Sequence, residues 1–157
     1  MGYTHYFEFH KPKGIKAKDI ERRYQSAIKE CAMVALFWNE YCKRFWIDES
    51  RLSGYTAHTK PGTYGGIELN GKGENAHESF NLREHFKENK FGFCKTAQKP
   101  YDAVIVACLA VLKYRLGDAI AVSSDGRAID WEYGVKLACS ALRLNIPNPI
   151  ADRKQVA

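Results

Sequence analysis

One run of residues constrains this chain more than any other: Ala103 to Leu112 reads AVIVACLAVL. Pro100 stands just ahead of it, where a missing N–H costs no helical hydrogen bond and the ring already holds a helical φ. Gly117 supplies the stop. The run has no polar side, so a helix here has to lie at the centre of the fold with other elements packed around it. It is ten residues long, about half of the ~20 needed to cross a bilayer, and so predicts a core helix rather than a membrane span.

The rest of the chain supplies elements to surround that helix. Tyr3 to His10 sets Tyr3, Phe7 and Phe9 on one side and ends at Lys11-Pro12-Lys13-Gly14, which predicts a first strand. The same alternation puts His5 beside those aromatics and turns Tyr6 the other way. Asp19 to Trp46 carries Ile20, Tyr24, Ala27, Cys31, Val34, Trp38, Tyr41 and Phe45 at spacings of three or four with no Gly or Pro, predicting a long helix whose aromatic stripe faces the core. Residues 51–76 hold six of the twelve glycines and predict a long loop, broken by a short strand at 66–70 and a turn at Asn70-Gly71. The segment 77–83 (HESFNLR) alternates Phe80 and Leu82 with polar residues and predicts another strand, followed by a Lys- and Asn-rich polar loop through Phe93. A strand at 119–124, a turn at Asp125-Gly126, a helix from Asp130 to Leu142 and a frayed tail at 147–157 complete the reading. The first six elements run β-α-β-β-α-β. The predicted fold class is therefore α+β, a single domain over 1–157 with ferredoxin-like order, an additional C-terminal helix and the Gly-rich excursion at 51–76.

Charge narrows the partner. Lys+Arg 24 against Asp+Glu 18 leaves +6, which favours an anionic ligand such as a nucleotide or phosphate. The basic residues form no recognisable nucleic-acid reading motif, so nucleic acid is not the expected partner. Five cysteines, an odd count with no CxxC, sit mostly in apolar stretches and read as small core residues of a reducing cytoplasm. MGYTHYFEFHKPKG has no apolar stretch of the kind a secretory leader needs, so a cytoplasmic location is expected. No phosphate-cradling glycine motif, HExxH or GxSxG occurs. Histidines at 5, 10, 58, 77 and 85 lack metal-ligand spacing, so neither metal nor cofactor is expected.

Within those limits the segment 93–102 (FCKTAQKPYD) carries the most chemistry. Lys95, Lys99, the Thr96 hydroxyl and several backbone N–H groups gather ahead of a helix start, whose partial positive charge and free donors favour an anion. Tyr101 would stack on a base or donate to a phosphate. At the end of the strand at 119–124, Asp125 would accept from a ribose hydroxyl or an adenine amino group, or else close a turn by capping. Tyr6 and Trp131 are further stacking candidates. His77 and Glu78 fall on opposite faces of the predicted strand, so each would reach a ligand separately. His5, among aromatics, reads chiefly as a hydrogen-bonded core histidine and secondarily as a ligand contact.

MGYTHYF at the start, FCKTAQKPYDAVIVACL in the middle, and VSSDG followed by DW resemble a family of small phage proteins that begin MGYTHYW and carry FCKTARKPYD. Asn70-Gly71 and His77-Glu78-Ser79-Phe80 fit the same pattern. This chain departs from it at Phe7, where Trp is usual, and at Gln98, where Arg is usual, which removes a cation beside the proposed anion site. The resemblance implies a virus-encoded accessory protein acting in an infected bacterial host. Together with the site chemistry it leads to an expected function in counter-defence: binding and sequestering a phosphate-bearing nucleotide immune signal, ADP-ribose-derived or cyclic, without cleaving it. A homo-oligomer would suit such a trap. Two alternatives stand beside this reading. One is a metal-independent phosphodiesterase with His5 or His77 as acid or base and Lys95 or Lys99 stabilising charge. The other is a protein–protein inhibitor working through the Gly-rich loop.

Overall fold

The computed structural model describes residues 2–53, 58–60 and 63–150, with 58–60 and 63–64 described by backbone alone. Strand β1 (Thr4–Phe9) is followed by helix α1 (Ala17–Arg44), short strands β2 (His58–Lys60), β3 (Thr63–Tyr64), β4 (Ile67–Leu69) and β5 (Phe80–Leu82), strand β6 (Lys90–Lys95), helix α2 (Asp102–Leu116), strand β7 (Ile120–Ser124) and helix α3 (Ala128–Leu142). The class is α+β. Among the described residues the main sheet has three antiparallel strands in the order β6-β1-β7, where the ferredoxin-like reading expected four. The strand predicted at 66–70 and the one predicted at 77–83 do not join that sheet. Their central residues pair with each other as β4 and β5, Leu69 opposite Phe80 and Ile67 opposite Leu82, and bury all four side chains.

The aromatic alternation of β1 sorts the two sheet faces. His5, Phe7 and Phe9 face the helices and are 5% exposed or less. Tyr6 and Glu8 point away, in register with Phe93 and Phe91 on β6 and with Ser123 and Ala121 on β7. The polar loop was expected to run through Phe93, but Lys90–Lys95 is instead the strand β6. Its pattern is masked by Gly92, and the structure explains the glycine. A Cβ there would lie 2.4 Å from the Phe7 ring, so the ring occupies the space a side chain would take.

Helix α2 is central, as its composition requires. Every residue from Val104 to Leu112 is 1% exposed or less, and each large apolar side chain so buried contributes about 1.5–3 kcal/mol. Helix α1 crosses it so closely that the Cys31 and Cys108 thiols each reach the other helix's backbone, Cys31 Sγ lying 3.7 Å from Cys108 O. Helix α3 packs on the other flank through Gly134, where a Cβ would sit 2.5 Å from Val106 Cγ1. No helix among the described residues is long and apolar enough to cross a membrane. Of the expected frayed tail, residues 147–150 are held by Asn148, whose amide donates to Ala128 O at 2.8 Å, and 151–157 lie outside the described residues. Residues 54–57 and 61–62 of the Gly-rich excursion, Gly54 and Gly62 included, also lie outside them.

Candidate functional site

The quoted motif blocks do converge, at the end of the sheet where β1, β6 and β7 meet the starts of α2 and α3. What they build is a buried polar chain. His5 Nε2 lies 2.7 Å from Asp102 Oδ1, and since a carboxylate only accepts, that nitrogen carries a hydrogen. His5 Nδ1 lies 2.9 Å from Ser124 Oγ, which also accepts the Gly126 N–H at 2.9 Å. Thr96 donates its hydroxyl to the same Asp102 oxygen. The rings of Tyr3 and Trp131 close on His5 edge-on, each at 5.1 Å. Burial, reinforced by Asp102 and Asp130, pushes the Tyr3 phenol up to about 12.

This arrangement corrects several expectations. Tyr101 and Trp131 are fully buried, so neither presents a ring to an incoming base. The Tyr101 hydroxyl donates to Glu78 O at 2.7 Å, and burial raises its pKa. Thr96 is buried and engaged with Asp102. His5 is buried with both nitrogens occupied, which supports its core reading over a ligand contact or an acid–base role. Several backbone donors around Pro100 are consumed internally. Thr96 N–H and Ala97 N–H donate to Tyr3 O at 3.0 and 3.3 Å, Lys99 N–H to Thr96 O at 3.1 Å and Asp102 N–H to Lys99 O at 2.9 Å.

The two lysines do not share a pocket. Lys95 points to the outer sheet face and runs beside Gly2, where an added Cβ would sit 2.6 Å from its Cε. Lys99 lines a different pocket of about 270 Å³ together with Trp38, Tyr133 and two carboxylates, Asp102 and Asp130. Asp125 ties the end of β7 to β1, accepting from Thr4 N–H at 3.0 Å and more loosely from the Tyr6 hydroxyl at 3.4 Å. His77 and Glu78 fall outside β5. Both grip Lys95 by its main chain: His77 Nδ1 donates to Lys95 O at 2.8 Å, and Glu78 Oε2 accepts Lys95 N–H at 2.9 Å. Of the expected ligand residues, His77, Lys95, Lys99, Asp125 and Tyr6 thus keep some exposure, spread over two surfaces. Among the described residues no group of three or more His, Cys, Asp or Glu side chains is placed to hold a metal ion.

A second region, which no motif marked, forms a better cavity. A groove of about 360 Å³ beside β5 and β6 is lined by the buried Phe7, Phe9, Tyr24 and Leu82, which form its floor, and by the exposed Phe91 and Phe93 at its rim. Ser79 and Asn81 offer polar groups, Arg83, His85, Lys87 and Lys90 stand around it, and its lining contains no Asp or Glu. His85 pairs with Glu21, with Nδ1 at 3.0 Å from Oε1. The hydrogen bond to Glu21 raises the His85 pKa. Burial would raise that of Glu21, but hydrogen bonds from His85, Gln25 and the Phe86 N–H outweigh it and lower it. Arg83, Lys87 and Lys90 form no ion pair among the described residues. Phe91 and Phe93 are 54% and 56% exposed, and Tyr6 stacks on Phe91 with centroids 6.4 Å apart and planes at 25°. Tyr6, Phe91 and Phe93 share the outer sheet face with Glu8, and three unpaired cations line the groove at its edge; rings and cations so placed can stack on a base and meet a phosphate. Lys-Phe-Gly-Phe was the available signal: period-two aromatics between lysines, hidden by the glycine.

Comparison with known proteins gives no match to a family model, a curated protein or a solved structure.

Proposed function

We propose that this protein binds and holds a phosphate-bearing nucleotide, ADP-ribose-derived or cyclic, at the β5–β6 groove without cleaving it. The observation that carries this reading is the groove itself: an apolar, aromatic-walled cavity of about 360 Å³ ringed by cations and free of carboxylates. Ligand pockets for small molecules begin at roughly 300 Å³. The base would lie on Phe91 or Phe93 with Tyr6 extending the platform, and Arg83, Lys87 and Lys90 would meet the phosphates. Sequestration is favoured over hydrolysis because neither histidine considered for acid–base work stands in the groove: His5 is sealed from solvent with both nitrogens engaged, and His77 bonds Lys95 O away from the groove lining. The phage resemblance makes the ligand a host immune signal and the setting an infected bacterial cytoplasm.

The test is capture and release. The protein is incubated with cyclic dinucleotides and ADP-ribose derivatives, separated from free ligand, heat-denatured, and the supernatant analysed. Intact nucleotide is expected. An altered product would replace the proposal with the phosphodiesterase reading, and no uptake of any nucleotide would favour the protein-inhibitor reading.

A further inference from the structure

Helix α1 changes character halfway along. On its first half the exposed positions are polar: Lys18, Arg22, Arg23, Ser26 and Lys29. On its second half and at its end large apolar side chains are exposed beside Glu40, Lys43 and Arg44: Met33 at 44% exposure, Leu36 at 49%, Phe37 at 40%, Tyr41 at 39% and, at the C-cap, Phe45 at 56%. The opposite stripe of the same half, from Cys31 through Val34 and Trp38 to Cys42, is already buried in the core. This half-helix therefore carries large apolar side chains on its exposed side as well as on its buried one, more than a helix open to solvent on one face needs. Trp46, just past the helix end at φ 60°, is 91% exposed. An indole left so open beside five other large apolar side chains exceeds the scattered single exposures usual on a protein surface.

The polar residues in this patch identify its occupant. Phe37, Tyr41, Phe45 and Trp46 line a shallow groove of about 770 Å³ that also contains Glu40, Lys43 and Arg44. None of those three charges forms an ion pair among the described residues, although both signs are present within one helical turn. A two-fold axis that crosses two antiparallel α1 helices between positions 40 and 44 would place each Glu40 opposite the other copy's Lys43 and Arg44. It would set Phe37 against Phe45 and Trp46. A surface that satisfies its own charges under a two-fold is isologous.

We infer that the second half of α1 is a homodimer interface, its occupant a second copy of this chain. The interface lies on a different surface from the β5–β6 groove, so the inference holds whichever ligand that groove takes.

Charge exchange tests it. Sedimentation equilibrium on the full chain, from sub-micromolar to 100-micromolar concentration, is expected to show a monomer–dimer equilibrium. Glu40→Lys should weaken it by about tenfold or more by setting cations against cations. Adding Lys43→Glu and Arg44→Glu to that variant should restore it, a rescue that only self-pairing produces. Phe45→Glu should give monomer at all concentrations with unchanged far-UV circular dichroism, since this side chain is not part of the core. A wild-type chain that stays monomeric throughout would overturn the inference, as would a dimer indifferent to Glu40→Lys.

Discussion

Two basic regions adjoin β6, and they use their polar groups in opposite ways. Ahead of Pro100, lysines, hydroxyls and amides are close in sequence, yet the Thr96 hydroxyl and the backbone N–H groups of Lys95, Thr96, Ala97 and Lys99 are spent within the fold, and the two lysine side chains, which form no ion pair among the described residues, go to different surfaces. Beside β5, the cations come from positions 83, 87 and 90 with no motif among them, and they remain free around a cavity. Proximity along the chain to a helix start does not make an anion site. What matters is whether the donors are left over once the fold has taken its share.

The largest effect expected from this contrast is on folding. Asp102→Ala strands the buried His5 Nε2 hydrogen and the Thr96 hydroxyl, and should cost about 3 kcal/mol in urea denaturation. A cost near zero would mean the polar chain is not structural and would reopen this end of the sheet as a site.

Gly92→Ala comes next. Its methyl group would meet the Phe7 ring at 2.4 Å, forcing β6 outward for about 1–3 kcal/mol of stability and a reshaped groove. Pairing it with Phe7→Leu should recover part of the loss. Non-additivity in that double variant is the measurement, because the two residues share one space.

Binding then separates the regions directly. Arg83→Ala or Lys90→Ala should each lower nucleotide affinity in calorimetry by about 1.5 kcal/mol or more, near tenfold, with stability unchanged. Lys95→Ala combined with Lys99→Ala should leave affinity within a factor of about two. The reverse result would return the ligand to the helix start.

The smallest effect is the pH dependence of the His85–Glu21 contact at the groove's rim. His85 is raised from 6.5 when folded, so its contribution is complete below 6.5 and is lost as pH rises through the raised value. Glu21 is lowered from 4.5, so its contribution is complete above 4.5 and is lost as pH falls through the lowered value. The stability difference between wild type and His85→Gln should therefore be greatest between pH 4.5 and 6.5 and shrink on either side.

The helices, β1 and β7 were legible in the sequence because each carries its own period or punctuation: the stripe from Ile20 to Phe45, Pro100 and Gly117 around an all-apolar run, and Tyr3-His5-Phe7-Phe9 on one side of a strand. The inward placement of His5 followed from that alternation alone. Strand β6 was not legible, because the residue that completes its inner face at position 92 is a ring borrowed from Phe7 on the neighbouring strand. The groove was hidden for a related reason. Its floor comes from β1, α1 and β5 and its wall from β6, so no contiguous stretch announces it. The motif blocks did point to one place in space, but hydrogen-bond competition turned that place into a joint.

Phe7, Phe9, Tyr24 and Leu82, which floor the groove, are also core residues, none more than 5% exposed. Rim and floor should consequently diverge at different speeds among descendants of this chain. If the groove is the nucleotide site proposed above, Arg83, Lys87 and Lys90 can be exchanged to suit another ligand at little cost to the architecture. A change in the floor would have to be repaired by the helices behind it before any altered specificity could persist.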